Sequence, residues 1–253
     1  KYFFQHVRKI QDTLFGTTDL YLFDSEKKVC IKRSSRSWRD FGVSTRENPE
    51  KEIDFLRHLA SMDCESRFVS KCIFLFKDRV NLYTVFDFFE HRLLELIMDN
   101  QYLHESRGRV IFRQILDGLS FLHDEGIAHM DISPENVMID REGRVKLIDF
   151  GSAQWVTAAR STRQNLVGFF GKTTYYHPKM CEEEPFDPFE ADVWALSILL
   201  FVMLTGYPPF EAPYADDARF QIISQGARGG LAALLKAWKR DGISSAAFDL
   251  MQR

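Results

Sequence analysis

Residues 129–151 read HMDISPENVMIDREGRVKLIDFG, and this stretch decides how the rest of the chain is interpreted. An acid stands at Asp131, an amide at Asn136 and a second acid at Asp149. Two apolar runs, Val137-Met138-Ile139 and Val145-Lys146-Leu147-Ile148, flank a turn composition, Asp140-Arg141-Glu142-Gly143. The pattern predicts loop, short strand, turn, short strand, loop, which brings the three polar residues to loop ends near one another. Two carboxylates and an amide oxygen make a hard-oxygen set suited to Mg²⁺, an ion that commonly enters a site with a nucleotide phosphate. The same residue types also serve at turns and helix caps, so the remainder of the chain has to decide.

Length and composition narrow the choices. A chain of 253 residues can bury a sizeable core as one large domain or two small lobes. Its net charge of −3 offers no basic surface of the kind nucleic acid requires, and its 23 Phe residues are read as core. Cys30, Cys64, Cys72 and Cys181 contain no C-x-x-C pair, which predicts reduced thiols in an intracellular, cytoplasmic protein. The longest apolar run, Val193 to Leu204, is broken by Ser197 and is read as too short to span a bilayer, and no signal peptide opens the chain.

Outward from the central stretch, periodicity assigns the elements. Residues 1–37 read as strands, with β-prone runs at Leu20–Phe23 and Val29–Ile31. Asn48-Pro49 opens a helix whose Ile53, Leu56 and Leu59 share one face, with Glu52 beside them. Cys72–Phe76 and Val80–Phe89 are apolar runs. Residues 105–123 carry a helical period in which Val110, Ile111, Ile115, Leu119 and Leu122 form the apolar face, and Gly126 ends the helix. Residues 152–172 form a long polar stretch holding Thr157, Ser161 and Thr162, and helices are expected at 215–225, 229–240 and from Ile243 onward.

The order of these motifs resembles the protein kinase superfamily. His129, Asp131 and Asn136 match H-R-D-L-x-x-x-N, and Asp149-Phe150-Gly151 matches D-F-G. Val29-Cys30-Ile31-Lys32 resembles V-A-I-K, Gly171–Pro178 resembles the end of an activation segment, and Asp192-Val193-Trp194 with Leu204–Phe210 resembles the helix and loop that follow it. The resemblance covers nearly the whole chain. It implies an α+β, bilobal protein-kinase fold, with a small β-rich N-lobe carrying one helix (αC in the family's naming) and a larger helical C-lobe. Residues 1–89 would form the N-lobe and hinge and 90–253 the C-lobe, with the C-terminal end looking truncated. It further implies ATP and Mg²⁺, with protein Ser/Thr hydroxyls as acceptors. Asp131 would be the catalytic acid–base residue, Lys32 and Asn136 would act with it, and Asn136 and Asp149 would hold the metal. Lys32, Glu52, Gly16, Cys30, Asp87, Phe89 and Met138 would make the nucleotide site, with Phe86 guarding its back.

Several positions depart from the family pattern. Gln11-Asp12-Thr13-Leu14-Phe15-Gly16 keeps one glycine of G-x-G-x-x-G, Met130 replaces Arg, Ser133 replaces Lys, and Lys179 replaces Glu. Lys172 stands where the family has Thr, and its ammonium is expected to reach in and stand for the lysine missing at Ser133. Met130 removes the clamp for an activation-loop phosphate, so activity is expected to depend little on Thr157, Ser161 or Thr162. The rival readings are a pseudokinase scaffold, supported by the altered glycine loop, and a small-molecule kinase of the same broad fold.

Overall fold

A computed structural model describes residues 3–37, 48–62, 67–156, 165–225, 229–240 and 242–252. Cys64, Thr157, Ser161 and Thr162 lie outside the described residues. Among the described residues, the N-terminal region is a five-stranded antiparallel sheet with one helix. Its elements are β1 (Phe4–Thr13), β2 (Gly16–Phe23), β3 (Lys27–Ser35), α1 (Pro49–Ser61), β4 (Cys72–Lys77) and β5 (Asn81–Asp87), and the strands lie in the order β1-β2-β3-β5-β4. Register decides which residues face the interior cleft. Thr18 pairs with Lys32, and Lys32 with Thr84, so these three share one sheet face. Val29, Ile31 and Val85 occupy the other face, buried beneath Phe4, Phe23 and Phe74. Helix α1 begins where Asn48 Oδ1 accepts hydrogen bonds from the amides of Glu50 and Lys51, with Pro49 in the first turn.

The chain then crosses into a helical region. It runs through β6 (His91–Arg92), α2 (Leu93–Asn100), α3 (Glu105–Asp124), β7 (Ile127–Ala128), β8 (Val137–Ile139), β9 (Val145–Leu147), β10 (Gln154–Trp155), α4 (Pro178–Cys181), α5 (Pro188–Thr205), α6 (Ala218–Gln225), α7 (Gly229–Ala237) and α8 (Ser245–Gln252). Helices α3 and α5 and the β8–β9 hairpin enclose the main core, in which Ile115, Leu122, Val145, Leu147, Leu199 and Met203 are almost wholly buried. Each such aliphatic side chain contributes about 1.5–3 kcal/mol by leaving water. Helix α5 is apolar over most of its surface and is mostly enclosed, with Glu190 and Val193 facing outward. By length and composition it could cross a bilayer, contrary to the reading of its apolar run as too short, but 72% of it is buried inside the fold. Val110 is a correction to the expected α3 face: it is 61% exposed. The buried stripe runs through Gly108, Ile111, Ile115, Gly118, Leu119 and Leu122, and one residue's rotation carries Val110 off it.

Candidate active site

Two loops meet below the sheet, and a single buried carboxylate fixes the first. Asp192, at the start of α5, accepts hydrogen bonds from the backbone amides of His129 and Met130, each at 2.7 Å, and from His123 Nε2 at 2.9 Å. These charge-assisted bonds hold Met130 in a left-handed conformation, φ 64°, which is unfavourable for a side chain of that size. The His129 ring is fully buried and satisfied at both nitrogens. Its Nδ1 accepts from the Asp131 amide at 3.3 Å, and its Nε2 donates to the Ile148 carbonyl at 3.1 Å. One imidazole thereby ties the Asp131 loop to the Asp149 loop. Asp149 is also left-handed, φ 67°.

Two charged clusters follow from this scaffold. In the first, Lys32 Nζ donates to Glu52 Oε1 and Oε2 at 2.8 and 2.9 Å and to Asp149 Oδ1 at 3.0 Å. Burial alone would lower the Lys32 pKa, but the Asp149 and Glu52 carboxylates outweigh it and hold it above the usual lysine value. Burial works against the Asp149 carboxylate too. Lys32 and the Gly151 amide override it and depress the Asp149 pKa to about 2. In the second cluster, Lys172 Nζ lies 3.0 Å from both Asp131 oxygens and 2.9 Å from Ser133 Oγ. Asn136 Nδ2 donates to Asp131 Oδ2 at 2.6 Å and to the Asp131 carbonyl at 2.8 Å. Burial raises the Asp131 pKa, and Lys172 offsets only part of that rise.

Gly171 is what lets Lys172 arrive. Its φ is +74°, and a Cβ there would stand 2.6 Å from the Met130 carbonyl oxygen and 3.0 Å from Asp131 Oδ1. Met130 itself packs in an apolar cluster with Ala128, Phe170, Met180 and Phe186, so the position beside the acid is filled with hydrocarbon.

Both clusters open on a cleft made of two adjoining cavities of about 370 and 260 Å³. The first contains Asp131, Asn136, Asp149 and Lys172, and the second contains Cys30, Phe86, Asp87, Phe89 and Met138. Lys32, Glu52 and Asp149 line both. Gly16 is set apart: its missing side chain serves the β2–β3 contact, where a Cβ would meet the Arg33 carbonyl at 1.9 Å. The lid over the cleft is a tight hairpin in which Thr13 pairs with Gly16 across Leu14-Phe15. Arg92 donates to Gln11 at its base. The Cys30 thiol is pushed up to about 11, chiefly by burial.

The donor set suits a hard cation accompanied by phosphate. Among the described residues, no three His, Cys, Asp or Glu side chains group into a metal cage. Asp149 and Asn136 offer two oxygens on one cavity wall, and magnesium usually takes one or two protein oxygens and completes its shell with water and phosphate.

Sequence reasoning missed Asp192 as the anchor of the His129 loop, and Arg92 as a cleft residue that holds Gln11. An acid next to the long apolar run from Val193 was the available signal for Asp192. Arg92 carried none.

A family model described as "Protein kinase domain" matches residues 8–253, and the chain belongs to that family. It is 35% identical to Sperm motility kinase 2A of Mus musculus over 132 residues, 52% of this chain and 25% of that protein. It is 34% identical to CBL-interacting protein kinase 17 of Oryza sativa subsp. japonica over 151 residues, 58% and 31% of the two chains. It is 32% identical to Serine/threonine-protein kinase PKH3 of Eremothecium gossypii over 160 residues, 62% and 22%. The chain thus spans less than a third of each of these relatives.

Proposed function

We propose that the chain transfers the γ-phosphate of Mg·ATP to serine or threonine hydroxyls of protein substrates, residues 1–89 forming the N-lobe and hinge and 90–253 the C-lobe. The observation that carries this reading is the convergence of the Lys32–Glu52–Asp149 and Asp131–Lys172–Asn136 clusters on one cleft. Lys32, kept charged and aimed by Glu52, holds the α- and β-phosphates. Asp149 and Asn136 would hold the magnesium ion, which would supply positive charge to offset the charge that develops during transfer. Asp131 accepts a hydrogen bond from the substrate hydroxyl, turns it in line with the γ-phosphorus and takes its proton. Lys172 meets the γ-phosphate from the side of Ser133. Cys30 and Met138 enclose adenine, and the backbone of Asp87 to Phe89 pairs with its edge. Positioning and fixed charge supply most of the rate in such a site. The free thiols of Cys30, Cys72 and Cys181 favour a reducing, cytoplasmic setting.

One observation favours a second reading, an interaction scaffold: Gln11 and Thr13 replace the lid glycines and Arg92 ties the lid down. The deciding test is transfer of labelled γ-phosphate from Mg·ATP to a basic protein, with Asp131→Asn as control. Label that vanishes in the control, on Ser or Thr, supports the enzyme. A folded chain that transfers none supports the scaffold.

A further inference from the structure

Helix α1 turns a second face toward the chain that follows Asp149. Lys51, Phe55 and His58 are spaced four and three residues apart and so lie along one side of the helix. Lys51 Nζ donates to Gln154 Oε1. The Phe55 ring lies 4.7 Å from that of Trp155 at an interplanar angle of 30°, and the His58 ring lies 4.9 Å from it, edge-on at 83°. At the helix start the Asn48 amide donates to the Gly151 carbonyl at 3.4 Å. The partner surface is itself fixed. Strand β10 pairs with β7, Gln154 opposite Ala128 and Trp155 opposite Ile127, immediately before the His129 loop. The Val156 amide adds a bond to the Gly126 carbonyl at 2.8 Å.

Glu52 stands next to Lys51 on the same helix. A rotation of α1 that lifts Phe55 from Trp155 also displaces the neighbouring Glu52 relative to Lys32, to which it is bonded at 2.8 and 2.9 Å.

We propose that Trp155 is a positioning residue for phosphate transfer: with Gln154 it forms a latch that fastens α1 in the attitude at which Glu52 holds Lys32. The inference rests on the proposed role of Lys32 in holding ATP phosphates. Adenosine has no phosphates, so it reports the adenine pocket alone.

The test measures binding of Mg·ATP and of adenosine by calorimetry, together with kcat, for the parent, Trp155→Ala, Trp155→Phe and Lys51→Met. Trp155→Ala should weaken ATP about tenfold, within the range of ordinary coupling between sites, and lower kcat. Adenosine affinity should hold, and Trp155→Phe, which keeps an aromatic ring, should stay near the parent. A general structural role would instead weaken both ligands together, and that result overturns the latch. If Trp155→Ala does not fold, Lys51→Met carries the decision: a selective loss for ATP supports the latch, and parent-like ATP binding overturns it. A parent that binds no ATP removes the proposed function and the latch together. A parent that transfers phosphate while Trp155→Ala matches it in kcat and ATP affinity overturns the latch alone.

Discussion

Lys172 Nζ sits 2.9 Å from Ser133 Oγ, so a residue of the segment after Asp149 delivers its cation to the loop of Asp131. The family places a lysine in that loop itself. Here the loop position has shrunk to a hydroxyl and the charge has moved to the facing segment. The positive charge beside Asp131 is thereby carried by the facing segment and not by the loop itself.

If the two positions form one exchangeable unit, Lys172→Ala should lower kcat by about a hundredfold, the cost of removing one preorganised donor at a developing charge. The double variant Ser133→Lys with Lys172→Thr should recover most of that loss. Steady-state assays of both variants check this, and a double variant no better than Lys172→Ala would sink the exchange.

The acid limb of the pH–rate profile should respond to the same ammonium. Burial raises the Asp131 pKa and Lys172 counters it. Removing Lys172 takes away the largest influence opposing burial, so the pKa rises further and the carboxylate is protonated at a higher pH. The acid limb of kcat/KM in Lys172→Ala should therefore move toward neutrality relative to the parent.

Gly171→Ala should reproduce much of the Lys172→Ala loss without touching a charge. The backbone is left-handed there and a Cβ would press on the Met130 carbonyl at 2.6 Å. The cost is on the order of 1–3 kcal/mol, read as a lower Tm together with a lower kcat. A variant with parental Tm and kcat would show that this close approach is dispensable.

How far these contacts could be read in advance depended on whether a residue carried its own pattern. Lys32, Glu52, Asp131, Asn136 and Asp149 each sat in a recognisable motif, so their convergence was legible although Lys32 and Asp149 are 117 residues apart. Trp155 against Phe55 was not, because a ring that packs on a helix from another segment leaves no periodic trace. Val110 was misplaced for a related reason. The α3 stripe is completed by Gly108 and Gly118, whose lack of side chain lets Leu204 and Phe68 pack close, and a hydrophobic pattern does not register glycine.

Phosphatase treatment should leave activity within about twofold of the untreated protein, because an apolar Met130, packed against Phe170, Met180 and Phe186, stands where the family places its phosphate-receiving arginine. A steep loss on treatment would overturn this reading of Met130.

That same cluster restricts what this kinase domain can become. Restoring arginine at Met130 alone would drive a guanidinium among Phe170, Met180 and Phe186, and an unpaired buried charge costs several kcal/mol, a large part of an ordinary fold's margin. A descendant that gained phosphate control by that route would first have to hollow out or hydrate the pocket, losing anchorage before gaining a switch. The hydrocarbon packed beside Asp131 therefore makes position 130 one where a charged replacement is penalised unless its neighbours change with it.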